Sequence, residues 1–141
     1  MDRASYDKYI ERFNKQDATA FEDYLCPDMH MMNGALEFTG IDGMKDHYTN
    51  KIWPHFVEDL TVLRFLGGEE RIAIEMTAEF KAIDAFDETL FGPVEKGERF
   101  TFHGLLMYEL EGGRFKKIQV AYNSFVNTKV DGTKIDMGMP H

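Results

Sequence analysis

The side chains able to move a proton near neutral pH are few, and His30 stands out among the five histidines. It falls in Asp28-Met29-His30-Met31-Met32. If that stretch is extended, alternation puts Asp28, His30 and Met32 on one face. A histidine with a carboxylate beside it suits general acid–base work, Asp28 orienting the ring. A histidine hydrogen-bonded at a strand edge, doing no chemistry, satisfies the same spacing.

The remaining candidates are more scattered. His47 sits with Tyr48 on a helical pattern, His55 follows Trp53-Pro54, and His103 lies in a strand-like run. None of them has the close spacing of a metal site, so no metal is expected. Cys26, between Leu25 and Pro27, has no activating neighbour and reads as an inert thiol. Tyr9, Tyr24, Tyr108 and Tyr122 offer phenols to a developing oxyanion. Trp53, Phe56, Phe80, Phe102 and Phe125, with Met32 and Met76, would line an apolar, aromatic cavity for a flat hydrophobic molecule. Core packing accounts for the same residues.

These side chains need a scaffold. Apolar residues at Tyr6, Tyr9, Ile10, Phe13, Phe21, Tyr24 and Leu25 predict two helices over about 5–15 and 17–25, ended by Pro27. Ser5 and Asp17 are the expected N-caps. Two short strands flank Gly34. A third helix over about 42–52, capped by Asp42, carries Met44, His47, Tyr48 and Ile52 on one side. Then come long strands. Residues 58–66 form one and 71–84 another, joined at Gly67-Gly68. In the second, Ile72, Ile74, Met76, Ala78, Phe80 and Ala82 face inward, while Glu75, Thr77, Glu79 and Lys81 face outward. Residues 85–97 read as a loop. Arg99 to Leu110 and Arg114 to Val126 form a hairpin about Gly112-Gly113, where glycine takes positive φ at no steric cost. The tail from Thr128 to His141 has no periodicity and is expected to be flexible or draped.

A chain of 141 residues is one domain by length, taken as residues 1–141 with its core at about 5–127. A net charge of −9 argues against nucleic acid and anionic membrane surfaces as partners. The single cysteine excludes an intramolecular disulfide and fits a reducing compartment. With no apolar N-terminal run and no membrane-spanning stretch, the expected location is cytoplasmic. Helices first and antiparallel strands after make an α+β domain, a curved antiparallel sheet whose helices close a cone-shaped pocket.

That order, with Gly40-Ile41-Asp42-Gly43 before the third helix, Gly67-Gly68 before RIAIEMTAEF and the ending LEGGRFKKIQVAYNSF, resembles the nuclear-transport-factor-2-like (cystatin-like) superfamily. The likeness is to its SnoaL-like polyketide cyclase and limonene-epoxide-hydrolase-like branch, over about residues 5–127. It implies a cone into which His30 and Met32 point. It also implies a last strand on which Asn123 stands near the place of a catalytic carboxylate, so that an amide would orient substrate there. His55 would lie near the pocket mouth, and Tyr108 would contact substrate. Met76 and Ala78 occupy the places of the hydrolase branch's Arg and Asp, so that branch's epoxide chemistry is not expected. His103 would face outward, with Phe102 and Gly104 inward.

The resemblance implies a cofactor-independent enzyme doing acid–base chemistry (isomerisation, cyclisation, dehydration or lyase cleavage) on a hydrophobic ring compound. His30 would be the acid or base and Asn123 the orienting group. The alternative is a ligand-binding or association module with no chemistry. A homodimer is expected, paired through the odd face of the strand over 71–84 and the face carrying Ile118, Val120 and Tyr122.

Overall fold

The computed structural model describes residues 1–138. Helix α1 spans Arg3–Asn14 and buries Tyr6, Tyr9, Ile10 and Phe13, an apolar stripe at helical spacing. Its N-cap is Asp2, not the expected Ser5: the Asp2 carboxylate accepts from the Ser5 backbone N–H at 2.8 Å. Helix α2 is a single short turn, Ala20–Tyr24, capped by Thr19. Asp17 steadies that cap, accepting from the Thr19 backbone and hydroxyl.

The chain passes straight into β1, Leu25–Asn33, and turns back through β2, Leu36–Thr39. Helix α3, Gly40–Lys45, runs on as a π-helical segment, Asp46–Ile52. Thr39, not Asp42, stands at its N-cap. The widened turns bond the Trp53 N–H to the Tyr48 carbonyl at 2.9 Å. Then follow β3, Phe56–Leu66, β4, Arg71–Ala82, β5, Arg99–Glu111, and β6, Arg114–Thr128. No helix among the described residues is long and apolar enough to cross a membrane.

The strands form a single sheet in the order β2-β1-β6-β5-β4-β3. It is curved and unclosed, and mixed where a wholly antiparallel sheet was expected, because β1 runs parallel to β6. The long excursion through β2 to β5 allows this: only a distant return lets two strands pair in the same direction. The tail is also more ordered than its composition suggests. Lys134–Asp136 forms β7 against Val126–Thr128, taking the edge of β6 that β1 leaves free. Residues 139–141 of that tail lie outside the described residues.

The helices cover one face of the sheet, and the core between them is aromatic. Tyr6, Phe13, Phe21, Phe56 and Phe115 are fully buried. The even positions of β4 face that core, as their alternation predicted. On the outer face Glu75 binds His103 at 3.0 Å and Arg64 at 3.2 Å.

Candidate functional site

Between the helices and the sheet lie two chambers. The inner one, about 50 Å³, reaches Tyr9, Tyr48, Glu58, Met76, Tyr108 and Tyr122, among others. The outer one, about 230 Å³, is walled by Phe80, Phe91, Phe102 and Phe125 and opens beside Leu36 and Leu90. Asn33, Tyr48, Glu58 and Tyr122 line both chambers and form the waist between them.

Glu58 is the unusual member of this waist. On β3 it shares its face with Phe56 and Leu60, and it is 4% exposed. Its Oε2 atom has no hydrogen-bond partner among the described residues. Desolvation by burial pushes its proton affinity up to about 8; the nearby Trp53 indole N–H works the other way, without reaching hydrogen-bonding geometry. Neither chamber is lined by Lys or Arg, so no side-chain cation offsets a charge there. At neutral pH Glu58 is therefore a carboxylic acid, able to donate.

The backbone under Glu58 is held from both sides. β3 is an edge strand, and its free edge is taken by the end of α1. The Asn14 amide donates to the Leu60 carbonyl at 3.0 Å and its oxygen accepts from the Leu60 N–H at 2.9 Å. Gln16 donates to the Phe56 carbonyl at 3.2 Å. These bonds bracket Glu58 and blunt the edge.

His47 lines the outer chamber from the π-helical segment and is buried, its ring stacked on Phe38 at 5.5 Å. Its Nδ1 has no partner among the described residues. Burial is the main reason its proton affinity drops to about 4, with Lys51 adding to the effect. The outer chamber thus holds a neutral acid and a neutral base at once. In the π-helical segment residues four and five apart share a face, so His47, Tyr48 and Ile52 all reach the chamber.

Tyr122 faces inward on β6 and accepts from the Asn33 amide at 3.0 Å. Burial raises its phenol to about 12, so it stays a neutral donor. Its aim depends on Gly104 of β5: a Cβ there would sit 2.7 Å from the Ala121 carbonyl and 2.9 Å from the Tyr122 ring. Only glycine admits the ring so close.

Several expected residues are in place. Met76 and Tyr108 line the inner chamber, and Phe80, Phe102 and Phe125 the outer one. Trp53 packs beside Glu58, stacked on Phe21. Phe56, expected in the cavity wall, is instead fully buried in the core and lines neither chamber. His55 lies to the side, against Phe86 at 4.7 Å.

The His30 group is not in place. Strand β1 alternates as expected, but its inward face is the odd one: Met29 and Met31 are buried and Asn33 reaches the waist. His30 lies on the other face, with Nε2 2.7 Å from Glu37 of β2. Asp28 is exposed and pairs with Lys116 at 2.6 Å, and Met32 shares that face. A shift of one residue moves a whole strand face, which is the physical reason for the correction.

Asn123 is displaced by a different device. His103 pairs with Ser124 and Gly104 with Tyr122, so Asn123 is the extra residue of a β-bulge. Ile118, Val120 and Tyr122, expected on the pairing face, instead face inward before it, and Phe125 does so after it, while Asn123 is turned out and exposed; which parity of β6 meets the core is fixed by its register on β5 and not by its composition.

Glu58 was absent from the sequence candidates. Its signal was a lone acid on the Phe56-Glu58-Leu60-Val62 face of a strand that otherwise reads as apolar there. Among the described residues no cluster of His, Cys, Asp and Glu forms a metal centre. Cys26 is buried, and burial raises its thiol.

The sequence model of the SnoaL-like domain matches residues 6–118. No curated protein matches the chain. Solved structures do. A SnoaL-like polyketide cyclase from Agrobacterium tumefaciens is 15% identical with a TM-score of 0.65, the match covering 84% of this chain and 87% of that one. TsrD from Streptomyces laurentii is 22% identical with a TM-score of 0.64, covering 87% and 91%. An LEH-like epoxide hydrolase from M. tuberculosis is 10% identical with a TM-score of 0.64, covering 85% and 80%. At these identities the likeness is one of fold.

Proposed function

The chain belongs to the SnoaL-like domain family, and on that premise we propose that it is a cofactor-independent enzyme moving protons on an uncharged ring compound bound in the outer chamber. The observation that carries this reading is Glu58, a buried and unpartnered carboxyl at the waist of the cavity, held protonated at neutral pH. An isomerisation or cyclisation step needs a proton removed from carbon and another delivered to oxygen. Neutral His47 takes the first, protonated Glu58 gives the second, and Tyr122 with Asn33 orients the oxygen. The electron pair left on carbon moves into an enol whose oxygen keeps the Glu58 proton, and the reverse transfers restore both groups. A chamber of about 230 Å³ lies near the lower end of ligand sites, so the ring compound is small.

Exchange of the α-hydrogens of tetralone in heavy water, followed by proton NMR, tests this reading. Glu58→Gln and His47→Gln are each expected to slow exchange roughly 10²–10⁴-fold. Exchange that is unchanged in Glu58→Gln would remove the proposal.

We also propose that two copies pair through the outer sheet face. Leu66, Leu105 and Met107 are 73%, 53% and 44% exposed there and flank an apolar groove of about 640 Å³. Three large apolar side chains exposed together beside one groove favour such a pairing, and a two-fold pair covers them with one self-complementary patch.

A further inference from the structure

We propose that the inner chamber is a water site: ordered water bridges the Tyr9 and Tyr48 hydroxyls to the Glu58 carboxyl, and the ligand occupies the outer chamber alone. This deepens the reading of Glu58 as the proton-transferring group and rests on it only for its catalytic consequence.

Size comes first. A space of about 50 Å³ is far below the ~300 Å³ of ligand sites, yet it has room for one to a few waters. Polarity decides whether it fills. Apolar cavities of this kind stay dry, and polar ones with two or more hydrogen-bonding partners do not. Six oxygen-bearing side chains line this one: Tyr9, Asn33, Tyr48, Glu58, Tyr108 and Tyr122.

Their bonding is incomplete. Tyr108 shares one hydrogen bond with Tyr6, at 2.7 Å, and Tyr122 accepts one from Asn33. Each retains capacity for another. The Tyr9 and Tyr48 hydroxyls have no protein partner among the described residues, and both lie within electrostatic reach of Glu58. Glu58 Oε2 is likewise unpartnered. Leaving each of these groups bare costs about 1–3 kcal/mol, and one bridging water satisfies several.

The consequence concerns proton supply. With a ligand filling the outer chamber, Glu58 keeps contact with solvent-derived hydrogen only through the inner side of the waist. Water held there returns the proton that Glu58 gives up, and it shares in setting how tightly Glu58 holds it.

Two measurements on the ligand-free protein test the proposal. A crystal structure fine enough to show water is expected to place water within hydrogen-bonding distance of Tyr9 or Tyr48 and of Glu58. The pH dependence of Trp53 fluorescence reads the Glu58 proton directly, since this is the one tryptophan in the chain and it lies beside the carboxyl. Ala78→Leu fills the inner chamber from β4. It is expected to expel the water and raise the Glu58 proton affinity about tenfold or more, as added desolvation does. Tyr9→Phe removes one water partner without adding bulk and moves the midpoint the same way by less. A dry chamber, with Tyr9 or Tyr48 bonded directly to Glu58, overturns the proposal. So does a midpoint that neither variant moves. Neither readout needs turnover, so a failure of the proton-transfer reading would leave the water site standing, and the reverse holds too.

Discussion

Asn14, at the last turn of α1, forms two hydrogen bonds with the backbone of Leu60, at 3.0 and 2.9 Å, two residues from Glu58. A side-chain amide here does the work of a neighbouring strand. The helix end is thereby fixed to the strand that carries the acid. Asn14→Ala leaves both Leu60 groups without that partner and is expected to destabilise the fold by about 1–3 kcal/mol in urea unfolding. Asn14→Asp keeps the acceptor for the Leu60 N–H but turns an acceptor-only carboxylate on the Leu60 carbonyl and on Asp59, to which the amide donates at 2.9 Å, and so should be at least as destabilised as the alanine variant.

Stability should depend on pH through the waist. The Glu58 carboxyl is raised from an ordinary 4.5 to about 8. Between these values the folded chain holds a proton that the unfolded chain has lost. The contribution is complete below the lower value and is lost as pH rises through the upper one, at about 1.4 kcal/mol per unit. His47 works at the other end. Lowered from 6.5 to about 4, it contributes fully above the upper value, and its contribution is lost as pH falls through the lower one. The groups around Glu58 (Tyr9, Tyr48, Tyr122 and the Trp53 indole) are neutral throughout that range. Thermal melts should therefore show Glu58→Gln gaining stability over the parent by several kcal/mol between about pH 5 and about pH 9. A constant difference across that range would mean that Glu58 is not held neutral.

Pairing of two copies is tested by light scattering at micromolar concentration, with a dimer expected. Leu105→Glu places a charge on the half-exposed centre of the outer face and should give monomer with an unchanged fold. A monomeric parent chain would contradict the arrangement.

Much of the scaffold was legible because it rests on short periods. The β4 alternation from Ile72 to Ala82, the glycine hairpin at Gly112-Gly113 and the helical face carrying Met44, His47 and Tyr48 all stand as read. The parallel pairing of β1 with β6 was not legible, since strand direction in a sheet is set by long connections and leaves no local pattern. The site was half legible. Residue types that wall a cavity, such as Phe80, Phe102 and Phe125, follow from strand parity on either side of a bulge, but the bulge itself does not show in the sequence. One extra residue at Asn123 turned a presumed site residue outward, and the one-residue offset of β1 did the same to His30. An acid in a strand reads as solvent-facing until its neighbours of the same parity are counted, as Phe56 and Leu60 must be at Glu58.

The most direct test of the central claim, that Glu58 is the proton-transferring group of the cavity, is the pH–rate profile for ring opening of nitrobenzisoxazole. In that reaction a base removes the ring C–H, the N–O bond breaks, and a coloured phenolate forms as the C–H electrons become part of a nitrile. Neutral His47, the base of the proposed mechanism, gives a rate that is flat with pH in this range, and Glu58 adds a second base once it ionises, so the rate should rise with pH to a plateau with its midpoint near the group's raised value of about 8. Glu58→Gln should abolish the rise, while His30→Gln, altered on the far face of β1, should leave it intact. A profile that survives Glu58→Gln, or that is lost in His30→Gln, would contradict the account.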